Sequence, residues 1–323
     1  MPPATVLIVT RKFDPHADRV IEHLRRRNTA FFRLNTDHFH TEYRIAASGA
    51  DGAILIEDKW GRAHRFPSET HSVWYRKPID PAPPAAVTDP EARRVILDET
   101  LECLSFLGGE PNVLWVNNPE ANAAARRKLP QLRRAAALGL RVPRTLVTND
   151  PDRARAFRDE TGGALLCKPM KANGYEDGPD FHALFARKVT AAEFEAQVEQ
   201  IALCPTLFQE YIEKDHELRI TVIGEAVFCC RIDSQAAEGA ETDWRRVDPF
   251  RVPHEIVPLP SRVETALRTM LHQYDLRFGA FDAIVTPAGE YVFLELNPNG
   301  QWLWIELIAG APMAAAMADL LAP

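Results

Sequence analysis

Residues 293–300 of the chain read Phe-Leu-Glu-Leu-Asn-Pro-Asn-Gly. We expect the first part of this stretch to be a strand, in which Glu295 and Asn297, two positions apart, point to the same face. One charged and one neutral oxygen ligand on a single face suit Mg²⁺, which takes few protein oxygens and keeps positions for phosphate. The stretch therefore predicts a strand that carries part of a magnesium site.

The preceding strand offers a third ligand. Asp282 lies in the apolar run 280–285, and the residues Pro-Ala-Gly-Glu at 287–290 are typical of a hairpin turn. Asp282 is therefore expected to meet Glu295 across the hairpin. The alternative is that the two carboxylates merely point to water at strand ends.

Two lysines are candidates for neutralising nucleotide phosphates. Lys128 is expected near the end of a helix, because Pro130 cannot continue that helix. Lys168 follows the apolar run 164–167, where a lysine costs desolvation unless an anion pairs with it or its stem reaches solvent. The glycine-bearing loop 173–178 can offer backbone N–H groups to phosphate oxygens, although most such loops are simply turns.

A strand that runs into a charged connector is a candidate for holding the rest of the nucleotide. Its backbone N–H and C=O groups can bind an adenine edge, and the residues in question are Gln209, Glu210, Tyr211 and Ile212. Glu217 is a candidate acceptor for ribose hydroxyl groups. Arg219, on the same strand face as Glu217, is able to bind a phosphate or a carboxylate through two parallel hydrogen bonds.

Composition narrows the class of protein. A chain of 323 residues is long enough for two or three packed units. Its net charge of −7 argues against a general nucleic-acid binder, which needs a basic surface.

The sequence shows no export or membrane-spanning segment, so we expect a cytoplasmic protein without a membrane partner. Its five cysteines are scattered and odd in number, which predicts reduced thiols and no zinc site.

The order of the candidate residues resembles the ATP-grasp superfamily. That order runs through Lys128, Lys168, residues 209–212, Arg219, Asp282, Glu295 and Asn297. Within the superfamily, the chain resembles the maturases of microviridin-type ribosomal peptides, the graspetide synthetases. The segments that carry this resemblance are 14–18, 31–36, 73–78, 217–219, 243–245 and 297–306.

The resemblance implies an α/β (α+β) ATP-grasp fold in three parts. A pre-ATP-grasp α/β domain is expected over 1–117, a central lid subdomain over 118–204, and a C-terminal subdomain with the metal site over 205–323. The two subdomains would clasp the nucleotide between them. Relatives of this kind also suggest a homodimer.

The resemblance also implies a reaction. ATP would phosphorylate an Asp or Glu side chain of a precursor peptide made of a leader and an acidic core. A Ser or Thr hydroxyl, or a Lys amine, would then displace the phosphate to form an ω-ester or ω-amide crosslink. Arg219 would stabilise the anionic acyl-transfer intermediate. Arg76, Lys77 and Arg245 are candidates for gripping the acidic core, and a structural ion-pair role is an equal alternative for each.

Two other functions use the same residues. One is an ATP-grasp ligase that adds an amino acid to a small acid or to a protein tail. The other is a module that binds ATP without catalysis, against which stand the complete metal triad and Arg219. Release of ADP with candidate peptides, and a neighbouring gene for a short acidic precursor, would discriminate among these.

Overall fold

The computed structural model describes residues 5–108, 110–171, 174–177, 180–240, 242 and 244–323. Three residues of the predicted functional segments lie outside this part of the chain, namely Asn173, Gly178 and Asp243. Within the described ranges, no helix combines the length and the apolar character needed to cross a membrane.

Strands and helices alternate along most of the chain. The strands are β1 (Thr5–Thr10), β2 (Phe31–Asn35), β3 (Tyr43–Ala47), β4 (Ile54–Asp58), β5 (Ala63–Phe66), β6 (Thr70–Tyr75), β7 (Leu114–Val116), β8 (Thr145–Thr148), β9 (Leu165–Lys168), β10 (Gly174–Asp177), β11 (Asp180–Ala183), β12 (Arg187–Val189), β13 (Thr206–Glu210), β14 (His216–Ile223), β15 (Ala226–Ile232), β16 (His254–Ile256), β17 (Phe278–Val285) and β18 (Tyr291–Asn297). The α-helices are α1 (Pro15–Arg26), α2 (Phe39–Glu42), α3 (Pro90–Ser105), α4 (Pro119–Ala125), α5 (Lys128–Ala137), α6 (Pro151–Glu160), α7 (Ala191–Gln197), α8 (Ser261–Gln273), α9 (Leu303–Ala309) and α10 (Met313–Leu321). Short 3-10 helices cover Thr36–His38, Val198–Leu203, Ser234–Ala236, Trp244–Arg246 and Pro249–Arg251.

The N-terminal part is built on a parallel sheet of order β2-β1-β6-β7. Helix α1 connects β1 to β2, and its first turn is capped by the Asp14 carboxylate, which accepts from the N–H groups of His16 and Ala17. The first strands of the chain therefore form a strand–helix–strand unit. The antiparallel strands β3-β4-β5 share an apolar core with this sheet through Ile54, Ile56 and other residues.

The central part is an antiparallel sheet of order β12-β9-β13-β8, with α6 and α7 packed on an apolar cluster around Phe194 and Phe208. Between the predicted glycine loop and α7 the chain forms two short strands, β11 and β12. The predicted glycine loop is wrong in part, because Gly174–Asp177 forms strand β10 and pairs with β11. Glycine is permitted in a strand even though it weakens one, so its presence did not exclude extended chain.

The C-terminal part is an antiparallel sheet of order β16-β15-β14-β17-β18 that is covered on both faces. Cys229 and Cys230, adjacent on β15, contribute to the two opposite cores, as the alternation of a strand requires. One face packs against α4, α5 and α8. The other packs against α1, α9 and α10, so that the N-terminal and C-terminal parts share one apolar core.

One helix prediction needs correction. Lys128 does not end a helix: α4 ends at Ala125 and Lys128 is the first residue of α5, which contains Pro130 in its first turn. Proline is tolerated there because the first-turn N–H groups have no partner within the helix. At the C-terminal end of the chain α9 and α10 are separate helices, since Gly310 at φ +72° ends the first one.

The division into three domains remains a proposal. Three elements pack against a different part of the protein from the one to which the sequence assigned them. Strand β13, assigned from sequence to the C-terminal subdomain, pairs with β8 and β9 of the central sheet. Helices α4 and α5, assigned to the central subdomain, contribute Ala125, Leu132 and Ala135 to the core of the C-terminal sheet.

The shared core predicts that the N-terminal and C-terminal parts unfold together. Met317 of α10 is fully buried in that core. We expect Met317→Ala to lower the free energy of unfolding by about 2–5 kcal/mol, because the cavity cannot fully collapse. Guanidinium denaturation followed by circular dichroism measures this. Leu203→Ala, at a side chain 89% exposed, is the control and should have little effect; equal stability of the two variants would contradict the shared core.

Candidate active site

A β-bulge aligns the two acidic residues on neighbouring strands. Ala283 of β17 pairs with Phe293 of β18, but Asp282 pairs with Glu295, so that Leu294 is the extra residue. The turn between the strands is closed by a hydrogen bond from the Thr286 N–H to the Glu290 carbonyl, at 3.0 Å. The expected hairpin and the meeting of Asp282 with Glu295 are thereby confirmed. A regular ladder would place Leu294 opposite Asp282 instead.

Asn297 joins the two carboxylates. Its amide nitrogen donates to Asp282 Oδ2 at 3.1 Å and to Glu295 Oε1 at 3.0 Å. The three side chains therefore form one cluster on one face of the sheet, at the end of β18. Their role as metal ligands stays a prediction.

A cation lies against each carboxylate. Arg219, which pairs in register with Asp282 from strand β14, donates from Nη1 to Asp282 Oδ1 at 2.6 Å. Lys128, at the start of α5, forms an ion pair with Glu295 through Oε2. Helix α5 is held there because Gln131 donates to the Leu296 carbonyl and accepts from the Leu296 N–H.

The pKa values of Asp282 and Glu295 are shifted in opposite directions. Burial raises the pKa of Asp282, with the charge of Glu295 adding to the effect and Arg219 opposing it. Burial also opposes ionisation of Glu295, but Lys128 and the hydrogen bond from Asn297 outweigh it and hold the pKa of Glu295 below its usual range. The site therefore favours an ionised Glu295 and a more readily protonated Asp282 for as long as no further cation is bound there.

The donor set fits Mg²⁺ better than a transition metal. In the described part of the chain no three His, Cys, Asp or Glu side chains come together as a metal site. The cluster supplies two carboxylates and one amide, which are hard oxygen donors. A site with so few protein ligands suits an ion that keeps water and phosphate oxygens around it.

The loop that follows the cluster is fastened to the N-terminal part. Asn117 donates to the Pro298 carbonyl at 2.9 Å, and Arg76 donates from Nη1 to the Asn299 carbonyl at 2.9 Å. Arg219 donates from Nη2 to the carbonyl of Gln301 at 3.0 Å, so the arginine that binds Asp282 also holds this loop. The position of the metal candidates thus depends on residues far away in the sequence.

Gly300 is needed for this arrangement. A Cβ atom at residue 300 would collide with the Ala280 side chain and would come within 2.8 Å of Arg219 Nη2. Any larger residue would therefore push the Arg219 guanidinium away from Gln301 or shift strand β17. Close approach of a side chain to the backbone, rather than an unusual φ angle, explains the glycine.

His16 is a site residue that sequence reasoning missed. Its Nε2 accepts hydrogen bonds from the N–H groups of Trp302 and Leu303, both at 3.1 Å. Burial lowers the pKa of His16, although Asp14 opposes the shift. The neutral ring is the form that can accept these bonds. No local pattern around His16 predicts a contact with residues nearly three hundred positions later.

The residues predicted to bind the nucleotide lie on the central sheet and in the chain that follows strand β13. Lys168 ends β9, and Gln209 and Glu210 end β13. The N–H groups of Glu210 and Tyr211 donate to the carbonyls of Arg144 and Ala164, so an adenine edge would have to use other groups of the segment.

The side chains of the same region are also engaged. Lys188 lies 3.8 Å from the centre of the Tyr211 ring, and Lys214 donates to Glu217 at 2.6 Å. Gln209 is buried, and its side-chain amide oxygen, Oε1, has no hydrogen-bond partner in the described structure. The binding roles of Lys168, residues 209–212 and Glu217 stay predictions.

The three substrate candidates differ in their surroundings. Arg76 is buried and engaged with the loop, whereas Lys77 is half-buried beside it. Burial raises the pKa of Asp282, and Arg245 lies close enough for its charge to oppose this rise together with that of Arg219. Its neighbour Trp244 packs on Trp304 of α9 with ring centres 4.7 Å apart, which fixes the segment near the acidic cluster.

Comparison with known proteins identifies the family. Residues 5–121 match the MvdD pre-ATP grasp domain. Over 99% of both chains, the structure superposes on the macrocyclase MdnB from Microcystis aeruginosa MRC with a TM-score of 0.80 and 32% sequence identity. The chain belongs to the graspetide-type ATP-grasp ligases. The predicted α/β fold and the predicted enzyme class, an ATP-grasp carboxylate ligase, are thereby confirmed.

Two further graspetide-type relatives are similar over nearly the whole chain. The macrocyclase MdnC from Microcystis aeruginosa MRC, solved with the precursor peptide MdnA, is 29% identical, with a TM-score of 0.87 over 98% of this chain and 99% of that one. A RiPP-associated ATP-grasp ligase from Chryseobacterium gregarium, solved with ADP and a leader and core peptide, is 26% identical, with a TM-score of 0.90 over 98% and 96%. No curated protein sequence matches the chain.

The buried acceptor role of His16 predicts an acid-sensitive fold. Because the pKa of His16 is lowered in the folded protein, the unfolded chain binds that proton more readily. The contribution of His16 to stability is therefore complete above the ordinary histidine pKa of about 6.5 and is lost as the pH falls below it. His16→Gln, which keeps an acceptor, should flatten the decline of the free energy of unfolding on the acid side. Urea titrations at a series of pH values test this, and an unchanged slope would refute the role.

Proposed function

We propose that this protein is a peptide macrocyclase that uses ATP and Mg²⁺ to form side-chain ω-ester or ω-amide crosslinks in a ribosomally made precursor peptide. The observation that carries the proposal is the network of Arg219, Asp282, Asn297, Glu295 and Lys128. It combines hard oxygen donors with two cations in one partly exposed cluster. Relatives solved with ADP and with precursor peptides support the same substrates.

The chemistry requires activation, because a carboxylate is unreactive toward a hydroxyl group. In the first step an oxygen of the substrate carboxylate bonds to the γ-phosphorus of ATP while the bond to ADP breaks. In the second step a hydroxyl oxygen or amine nitrogen bonds to the acyl carbon, phosphate leaves, and the proton of the nucleophile passes to the released phosphate. One water is lost from the peptide for each crosslink.

The acidic cluster would hold the metal. Asp282, Glu295 and Asn297 supply its protein oxygens, and a bound Mg²⁺ offsets the charge of the phosphates during transfer. Lys128 is already paired with Glu295, so its ammonium would be available to a phosphate bound next to the acidic cluster. We assign Lys168, Gln209, Glu210, Tyr211, Ile212 and Glu217 to the remaining contacts with the nucleotide.

Arg219 is the candidate for stabilising the acyl-transfer step. Its Nη1 and Nη2 groups hold Asp282 and the Gln301 carbonyl, which fixes the guanidinium plane. A preorganised cation of this kind costs no reorganisation when negative charge develops on the acyl oxygen. Its effect should therefore fall on product formation more than on nucleotide affinity.

We assign Arg76, Lys77 and Arg245 to recognition of the acidic core, with Arg76 acting through the loop that it fastens. A ligase that adds an amino acid to a small acid or a protein tail would share the metal and nucleotide residues. The similarity to macrocyclases over almost the entire chain favours the crosslinking function. The homodimer and the cytoplasmic location remain predictions from the sequence.

The metal assignment predicts a selective loss of activity. Glu295→Gln should lower Mg²⁺-dependent release of ADP by about 100-fold or more, since it removes a charged ligand and leaves a similar shape. A coupled ADP assay with the precursor peptide measures this. Glu290→Gln, at an exposed residue just before the same strand, is the matched control. A folded Glu295→Gln protein with normal Mg²⁺-dependent turnover would remove Glu295 from the site.

The crosslinking function predicts the mass of the product. Incubation of enzyme, precursor, Mg²⁺ and ATP should yield peptides lighter by one water per crosslink, and mild base should reverse those that are esters. Arg219→Ala should retain affinity for Mg²⁺ and ADP but lose product by about 100-fold. Because this change leaves Asp282 without its partner, circular dichroism and the conservative Arg219→Lys variant control for misfolding. A product heavier by an amino acid in mass spectrometry would favour the rival ligase.

A further inference from the structure

One turn of 3-10 helix, Trp244–Arg246, lies in the chain between strands β15 and β16. A 3-10 helix has three residues per turn, so successive side chains leave it about 120° apart. Three consecutive side chains therefore leave this turn in three different directions. We call the three residues Trp244, Arg245 and Arg246 the strap, because each of them reaches a different part of the protein.

Trp244 anchors the strap on the C-terminal part. Its ring centre lies 4.7 Å from that of Trp304 on α9 and 6.2 Å from that of His254 on β16. The rings of His254 and Trp304 are themselves 5.1 Å apart, so all three are in mutual contact. The ring of His254 is fixed in turn, because its Nδ1 lies 2.6 Å from the carbonyl of Val252. Aromatic contacts of this kind hold the first residue of the strap against a helix and a strand.

The middle of the strap lies beside the acidic cluster. The charge of Arg245 opposes the rise that burial causes in the pKa of Asp282. The chain just before the strap is joined to the nucleotide candidates, because Lys214 donates to Glu217 at 2.6 Å and to the carbonyl of Thr242 at 3.2 Å. Lys214 is only 7% exposed, so this connection is shielded from solvent.

Arg246 connects the strap to the central sheet. Its Nη2 donates to the carbonyl of Ala186 at 3.1 Å. Ala186 immediately precedes β12, which is the edge strand of the central sheet. Lys188 of the same strand lies 3.8 Å from the centre of the Tyr211 ring, in the segment predicted to bind the nucleotide. Arg246 therefore holds the strand that covers this segment.

The contact between Arg246 and Ala186 has the strength that a reversible closure requires. Arg246 is exposed, and a single exposed hydrogen bond contributes only modestly to stability. A nucleotide that enters and leaves in every cycle needs a cover that opens at small cost. The other end of the strap is fixed by the aromatic contacts of Trp244, so opening at Arg246 leaves the strap itself in place.

We propose that the strap holds the central sheet over the acidic cluster while the activated carboxylate exists, with Arg246 as the positioning residue that closes the site and Trp244 as its anchor. The inference rests on the proposed function and adds Arg246 to the residues on which the reaction depends. It assigns to Arg246 no contact with either substrate.

The chemistry gives the closure a purpose. An acyl phosphate also reacts with water: the water oxygen bonds to the acyl carbon, phosphate leaves, and the protons pass to the released phosphate and to solvent. The peptide then regains its carboxylate, and one ATP has been consumed without a crosslink. A site that stays closed until the hydroxyl or amine attacks avoids this loss. The number of ADP molecules released per crosslink therefore measures the closure.

Hydrogen–deuterium exchange of the full-length protein with Mg²⁺ and ADP tests the contact without any peptide. The N–H groups of β12 exchange when this edge of the central sheet opens. We expect Arg246→Ala to exchange residues 186–189 about 3- to 10-fold faster than the wild type, the factor that corresponds to one lost hydrogen bond. Exchange in β1 of the N-terminal sheet should not change.

The matched control is Arg251→Ala. Arg251 is also an exposed arginine, on the neighbouring 3-10 helix Pro249–Arg251, so the variant removes the same charge. Its exchange in β12 should equal that of the wild type. Arg246→Lys is the conservative variant, and because lysine can still donate to the Ala186 carbonyl it should restore slow exchange.

The second measurement is the number of ADP molecules released per crosslink, from a coupled ADP assay and mass spectrometry of the precursor peptide. Arg246→Ala should raise this ratio by about 3- to 10-fold, again the factor for one hydrogen bond. Arg246→Lys should return it toward the wild-type value, and Arg251→Ala should leave it unchanged.

Three outcomes would overturn the inference. Equal exchange in β12 for Arg246→Ala and Arg251→Ala would remove the contact, and faster exchange with an unchanged ratio of ADP to crosslinks would remove its protective role. An Arg246→Lys protein as defective as Arg246→Ala would show that donation to Ala186 is not the cause. If exchange changes as expected but the wild-type protein gives no product lighter by water, the crosslinking function fails and the strap stands as the closure of a nucleotide site.

Discussion

Two carboxyl groups on neighbouring strands, Asp282 and Glu295, impose the main constraint on this structure. When both are ionised they repel each other, and the charge of Glu295 accordingly adds to burial in raising the pKa of Asp282. The protein offsets this repulsion with Arg219, Lys128 and the amide of Asn297, each supplied by a different strand or helix. The sheet order, the bulge at Leu294 and the start of α5 at Lys128 all serve to bring these partners together. Loss of one partner would leave a carboxylate uncompensated, which costs about 3–5 kcal/mol when the pair is buried.

The N-terminal part of the protein contacts the loop that follows the acidic cluster, so it contributes to the position of the candidate active site. It shares an apolar core with the C-terminal sheet, and through Asn117, Arg76 and His16 it binds successive backbone groups of the loop after β18. Such contacts use main-chain atoms, so they fix the path of the loop without depending on its side chains. The parallel sheet of the N-terminal part therefore helps to position the loop that follows the candidate metal residues.

The sequence predicted the parts of the site that follow from local periodicity. The shared face of Glu295 and Asn297 and the hairpin that brings Asp282 to Glu295 depend on strand alternation and a short turn, and both are present. The helix end at Lys128 was wrong because proline also suits a first turn, and the central loop was wrong in part because glycine also occurs in strands. His16 could not be found, since its hydrogen bonds to Trp302 and Leu303 form only when distant parts of the chain fold together.

Charge is divided around Arg219. On one side Asp282 and Glu295 supply the carboxylate oxygens that we assign to Mg²⁺, and each has a cation beside it. On the other side the positive charges of Arg76, Arg219 and Arg11 lie near Lys77, with Asp14 as the opposing carboxylate. Arg219 is bound on two of its nitrogens and has its third buried without a partner. In the proposed reaction Arg219 would stabilise the negative charge that develops on the acyl oxygen, and an arginine suits that role because its guanidinium keeps its charge and offers several donors in one fixed plane.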